Sequence, residues 1–253
     1  MEIVDENSVR RIHFNRPQSK NAMTTDVARE LASAIEEVTT EYDAVVVTGQ
    51  EDAFSAGGDI EAMATRSETA DEAYTRVRST LGQVAEAVLT APVPVVARVN
   101  GDAAGAGLSL VAASDFAYAV ESARFGASFI NVGLVPDMGG TVTLPRIVGL
   151  REAKRLAFTG ELISAAEAAD LGLVNHVVAE SELDEAVEGL LETLSSQPTE
   201  GIALAKQALH DNLGRTWSDG LEHEASIQTR AYDTAAHEEG VTAFLEGRRP
   251  DFD

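Results

Sequence analysis

Apolar residues fall at Val27, Leu31, Ile35 and Val38, the spacing of one helical face, and Thr24, Thr25 and Asp26 just ahead supply a cap. Residues 3–4 and 9–14 are short β-rich runs around the turn-like Asp5-Glu6-Asn7-Ser8, which predicts an opening hairpin. Residues 44–49 read AVVVTG, a continuous β-branched run closed by glycine, the pattern of a strand buried on both faces. The pattern returns at 93–99 after a predicted helix over 68–89. It returns again at 116–120, with the Ala-, Leu- and Gly-rich stretch 105–113 between them as a short buried helix.

Strands alternating with helices predict an α/β fold with crossover connections. From Arg151 onward the periodicity turns helical: residues 151–158, 165–171, 182–194, 200–212 and 218–236 read as helices, and 173–178 is the one clear later strand. The chain divides into an α/β core at 1–197 and a helical part at 198–253, with Ser195-Ser196-Gln197-Pro198 as the most linker-like stretch. No repeat of fixed length is visible in the sequence.

Composition narrows the function classes. The 253 residues carry 42 acidic against 19 basic side chains, a net charge of −23, so the surface field repels phosphate backbones and anionic lipid. Nucleic acid and membrane partners are therefore not expected. Only Lys20, Lys154 and Lys206 are lysines, and this acid-rich, lysine-poor surface suits a salt-rich cytoplasm. The absence of cysteine removes disulfides and thiolate chemistry, and the five histidines have no zinc-binding spacing, so no metal site is expected. The first residues have no signal-peptide pattern and no run of eighteen apolar residues occurs, which points to a cytoplasmic protein.

Three stretches could carry chemistry. Residues 54–59 (FSAGGD) and 100–107 (NGDAAGAG) each end a predicted strand with small residues, so backbone N–H groups can approach a ligand oxygen. Ala106 falls in the first turn of a helix, where the dipole favours negative charge, and two converging amides would form an oxyanion hole. The same glycines also suit a tight turn with close helix packing. Neither turn has the spacing of a nucleotide-phosphate loop. In the third stretch, 125–141, Asp137 stands among apolar residues between Pro136 and a Gly-Gly turn. Either it is a carboxyl with a raised pKa, usable as a general base, or it caps a helix beginning near Met138.

Taken in order, the segments NRPQSKNAM, AFSAGGDI, PVPVVARVNGDAAGAG, GLVPDMGGT, LAFTGELISAAEAADLGLVN and GVTAFLEGRRPDF make the chain resemble the crotonase superfamily, the enoyl-CoA hydratase/isomerase family, over nearly its whole length. The resemblance implies a crotonase fold of repeated ββα units, a homotrimer or dimer of trimers assembled through the C-terminal helices, and a coenzyme A thioester as substrate with no tightly bound cofactor. By motif position Gly58 and Ala106 are the oxyanion donors and Asp137 the catalytic acid/base. Substrate contacts fall to Ala56, Gly57, Asp59, Ile60, Gly105, Ser109, Phe129 and Pro136. Phe244 is a further substrate contact, and Arg16, Lys20, Arg248 and Arg249 are candidates for the coenzyme, because basic groups complement its phosphates.

The chain also departs from the hydratase pattern. The two positions where hydratases carry glutamate hold Ser109 and Phe129, and Glu61 and Gly247 stand where relatives often have lysine. The Asp137 context resembles the branch with 1,2-epoxyphenylacetyl-CoA isomerase and double-bond isomerases. Hydration through Asp137, dehalogenation with Asp137 as nucleophile, and a catalytically silent subunit are the alternatives. An RNA-binding relative relies on a lysine-rich helix that this chain lacks.

Overall fold

The computed structural model describes residues 1–252; Asp253, the last residue of the expected helical part, lies outside them. An antiparallel hairpin opens the chain, β1 (Glu2–Glu6) and β2 (Val9–Phe14), turning at Asn7 and Ser8 with φ of 50° and 59°. Helix α1 (Thr25–Glu36) follows, with the Thr24 hydroxyl accepting from the Val27 amide and Leu31 and Ile35 facing the core.

Three strand-turn-strand units, each leading into helix, come next. The first is β3 (Ala44–Gly49) and β4 (Ala53–Ser55) with α2 (Ile60–Ala64), α3 (Ala70–Arg78) and α4 (Leu81–Thr90). The second is β5 (Val95–Val99) and β6 (Asp102–Ala104) with α5 (Ala106–Ala113). The third is β7 (Phe116–Val120) and β8 (Arg124–Gly126) with α6 (Gly140–Ile147) and α7 (Gly149–Thr159). The remainder is β9 (Ile163–Ser164), α8 (Ala165–Asp170), β10 (His176–Val178), α9 (Leu183–Ser195), α10 (Thr199–Asp211), α11 (Trp217–Tyr232) and α12 (Ala235–Glu246).

The first strand of each unit joins a six-stranded sheet of order β1-β2-β3-β5-β7-β10, parallel beyond the first pair. The second joins a four-stranded sheet, β4-β6-β8-β9, in which only β9 is antiparallel. The expected ββα repeat is thus present in the backbone although no sequence period announces it.

Backbone packing at the crossings between sheets is very close. A Cβ on Gly49 would fall 1.9 Å from the Ala53 carbonyl oxygen, and one on Gly101 2.1 Å from that of Asp52. Side-chain amides brace the turns: Asn100 accepts from the Gly49 amide (3.0 Å) and donates to the Glu51 carbonyl (2.7 Å), while Asn21 donates to Gln50 and Ala53.

Two predicted helices are interrupted. The one expected over 68–89 breaks at Ser79 and Thr80, where the Thr80 hydroxyl donates to the Arg76 carbonyl (2.7 Å). The one expected over 218–236 divides at Asp233, and Thr234 caps α12 by accepting from the His237 amide. At the expected junction α9 ends at Ser195 and α10 begins at Thr199. Lys206 of α10 is buried against the core, donating to the Val88 and Val93 carbonyls (2.8 and 3.2 Å) and to Asp115 (2.7 Å).

Two glycine substitutions test this packing. Gly101→Ala is expected to lower unfolding free energy by about 3 kcal/mol or more, because backbone rather than a flexible side chain must move. Gly189→Ala, exposed in α9 with nothing within 4 Å, is expected to raise it by about 0.5 to 1 kcal/mol. Urea unfolding of both proteins reads the difference.

Candidate functional site

A cavity of about 750 Å³ opens between the α2–α4 segment and the chain leading to α6, and Gly58, Ile60 and Asp137 all line it. Apolar side chains such as Met23, Met63 and Leu134 make most of its wall.

The two glycine turns meet beside it. Gly57, at φ +90°, approaches the second turn so closely that a Cβ would lie 2.6 Å from the Ala104 carbonyl oxygen and 2.9 Å from the Ala106 nitrogen. Met23 holds the first turn on both sides of Gly58: its amide donates to the Gly57 carbonyl (2.7 Å) and its carbonyl accepts from the Asp59 amide (3.0 Å). In the second turn Gly105 has φ of +54° and donates to the Gly126 carbonyl (2.9 Å), which starts α5 at Ala106. Among the described residues the amides of Gly58 and Ala106 have no hydrogen-bond partner. Two unfilled donors on touching turns can hold one oxygen that gains negative charge.

Asp137 does not cap a helix. Helix α6 begins at Gly140 with Gly139 ahead of it in the left-handed region, and only the Asp137 carbonyl is used, accepting from the Gly140 amide (2.8 Å). Its carboxyl Oδ1 is buried with no hydrogen-bond partner. Burial pushes the group up to about 6, opposed by its own amide and by the nearby Arg76 guanidinium. A carboxyl of this kind accepts and returns protons near neutral pH.

The other expected residues divide. Ser109 is buried between α5 and α6, where its hydroxyl lies 2.5 Å from the point a Gly140 Cβ would occupy. Phe129 is buried in the 3₁₀ turn Ser128–Val132, Pro136 packs on Gly140, and none of these three side chains lines the cavity. Ala56 is exposed, its amide donating to the Lys20 carbonyl (2.9 Å). Asp59 caps α2 through the Ala62 amide and pairs with Arg16 at 2.7 Å, and these two contacts hold its carboxyl below the usual range. Arg16 also donates to the Ala22 carbonyl, so its Nη1 is committed to the turn, whereas Lys20 forms no ion pair among the described residues. Phe244 is 85% exposed on α12, Arg248 is tied to Glu239 and Glu246, and Arg249 is exposed; none of them reaches the cavity.

Sequence reasoning missed Arg66, Glu68 and Arg76, which stand in the cavity wall. The signal was the pair of opposite charges at 68 and 76, hidden by reading 68–89 as one helix, while Arg66 lies just ahead of that range. Glu68 accepts from Arg76 Nε (2.9 Å) and Nη2 (2.6 Å), and the guanidinium holds its carboxyl below the usual range. No cluster of three or more potential metal ligands occurs among the described residues, and none of their helices is long and apolar enough to cross a membrane.

The sequence profile of the enoyl-CoA hydratase/isomerase family matches residues 4–253. A 1,2-epoxyphenylacetyl-CoA isomerase of Escherichia coli is 33% identical over 250 residues, covering 98% of this chain and 95% of that protein. A crotonyl-CoA hydratase of Syntrophomonas wolfei is 33% identical over 244 residues, covering 95% and 93%. The crystal structure of an enoyl-CoA hydratase from Mycobacterium smegmatis aligns with a TM-score of 0.92 at 33% identity, covering 99% of this chain and 98% of that one.

The raised pKa of Asp137 has a sign in stability. The folded protein keeps this proton up to about pH 6, while the unfolded chain releases it near 3.8. Stability therefore falls as pH rises through that window, and the loss is complete above it. Asp137→Asn is expected to match the wild type below about pH 4 and to exceed it by about 3 kcal/mol at pH 8. Urea unfolding at the two pH values checks this, and equal stability at both would mean a solvated carboxylate.

Proposed function

The chain belongs to the enoyl-CoA hydratase/isomerase family and is an acyl-CoA enzyme, and from that premise we propose that it isomerises a 3-enoyl-CoA to a 2-enoyl-CoA. The observation that carries the reading is one carboxyl, Asp137, whose buried Oδ1 has no partner, in the same cavity as the Gly58 amide and with no second unpaired acid beside it.

In this reading Asp137, ionised, removes a proton from the carbon next to the thioester carbonyl. The electrons of that C–H bond move into a dienolate whose oxygen is held by the Gly58 and Ala106 amides, each donor lowering the barrier by about 3 to 4 kcal/mol. The protonated Asp137 then returns the proton two carbons further along, and the double bond ends conjugated with the thioester. One group serves as base and then as acid, so the step needs no water and no resident cofactor. Hydration needs an acid as well as a base. Ser109 and Phe129 supply neither, and both carboxyl oxygens of Glu68 are taken by Arg76. A ring-epoxide thioester would share the first step, removal of the proton beside the thioester carbonyl onto Asp137, and the relative from Escherichia coli carries a name of that kind. The name of the Syntrophomonas wolfei relative favours hydration as the second reading.

The same reading brings a homotrimer or dimer of trimers. It is supported by the apolar side chains that the C-terminal helices leave uncovered, Trp217 at 91% exposure and Phe244 at 85%.

Wild type and Asp137→Asn, incubated with a 3-enoyl-CoA in heavy water, separate the readings by product. The expected result is 2-enoyl-CoA from the wild type, a rate lower by about 10²- to 10⁴-fold in the variant, and kcat/KM rising through pH 6 as Asp137 ionises. Mainly 3-hydroxyacyl-CoA would replace isomerisation with hydration.

A further inference from the structure

We propose that the acyl end of the substrate carries a carboxylate, received by Arg66 and Arg76 in the cavity wall. This rests on the thioester reading above and names its substrate class.

Apart from Asp137, the charged groups lining the cavity are Arg66, Glu68 and Arg76. Glu68 occupies only Nε and Nη2 of Arg76, both side chains being largely shielded at 24% and 21% exposure. Arg76 Nη1 and the whole Arg66 guanidinium have no hydrogen-bond partner among the described residues. With Asp137 protonated, two cations against one anion leave the cavity with a surplus positive charge, and with Asp137 ionised the Arg66 guanidinium still has no partner, on a chain whose net charge is −23. Elsewhere arginines such as Arg10, Arg98 and Arg155 are tied to carboxylates.

A methyl-ended acyl chain lying against these groups would strip water from guanidinium donors and give nothing back. A carboxylate accepts two parallel N–H bonds from an arginine and fills the donors that Glu68 leaves open. The Arg76 charge is felt at Asp137, so one acyl chain in one cavity can meet both. A phosphate of the coenzyme has the same anionic oxygen chemistry, and the test separates the two sources.

The test is calorimetric titration of the full chain with hexanoyl-CoA, with adipoyl-CoA, which has the same carbon count and a far carboxylate, and with coenzyme A alone. The expected result is about tenfold tighter binding of adipoyl-CoA than of hexanoyl-CoA, a preference reduced to near unity by Arg66→Gln or Arg76→Gln and increased by Glu68→Gln, which releases Arg76. Arg66→Gln breaks no ion pair, so it carries the test if Arg76→Gln fails to fold. Equal binding of the two thioesters by the wild type overturns the proposal. So does a loss of the same factor for both thioesters and for coenzyme A in the arginine variants, which would assign the anion to the coenzyme. Binding of neither thioester by folded protein would bring down the thioester reading itself.

Discussion

Where the chain passes from the larger sheet to the smaller one, backbone lies on backbone with no space for a side chain. Gly49 and Gly101 sit against the carbonyls of the first turn, and Gly107 approaches the Ser55 carbonyl, where a Cβ would be 2.4 Å away. This contact fixes the spacing between successive units. It also stacks the first turn on the second, so that Gly58 and Ala106 come from segments far apart in sequence yet belong to one surface. The two unfilled amides are thus brought together by the way the sheets are joined, and loosening the joint would move them.

The cavity beside those turns keeps water away from Asp137, and this one condition has two effects. It raises the proton affinity of the carboxyl into the range useful for carbon acids, and it makes the ionised folded state less stable than it would be with a partner for Oδ1. The opposing influence of Arg76 is limited by Glu68, which takes two of its donors. Holding Glu68 on Arg76 therefore preserves the basicity of Asp137 as well as the ionisation of Glu68.

Strands and site residues were legible in the sequence to different depths. The run at 44–49 was readable because burial on both faces leaves a continuous apolar signature, and that at 116–120 because even its half-buried positions carry Phe116 and Tyr118. The three-residue strands β4, β6 and β8 carry Ser, Asp, Arg and Gly and leave none, so the second sheet was reached only through the resemblance. The break at Thr80 turns on one hydroxyl bonding to one carbonyl, which no periodicity records. Asp137 could be found from its apolar neighbours, but the choice between base and cap depended on a helix start displaced to Gly140. Of the cavity's arginines, Arg66 stands in the loop between α2 and α3 and Arg76 on α3, and only the fold brings them to the wall that Asp137 shares.

The order of strands also governs how the chain assembles. Only β1 and β2 meet through a two-residue turn; Val45 waits for Val95, and Tyr118 for His176, each pairing closing a long loop. During synthesis Val45, Val46 and Val47 emerge well before β5 can cover their open side. Such a segment is a template for pairing between chains. Residues 1–94 already carry 17 acidic against 8 basic side chains, so nascent copies repel one another over that interval and the acidity of the chain protects the unfinished sheet.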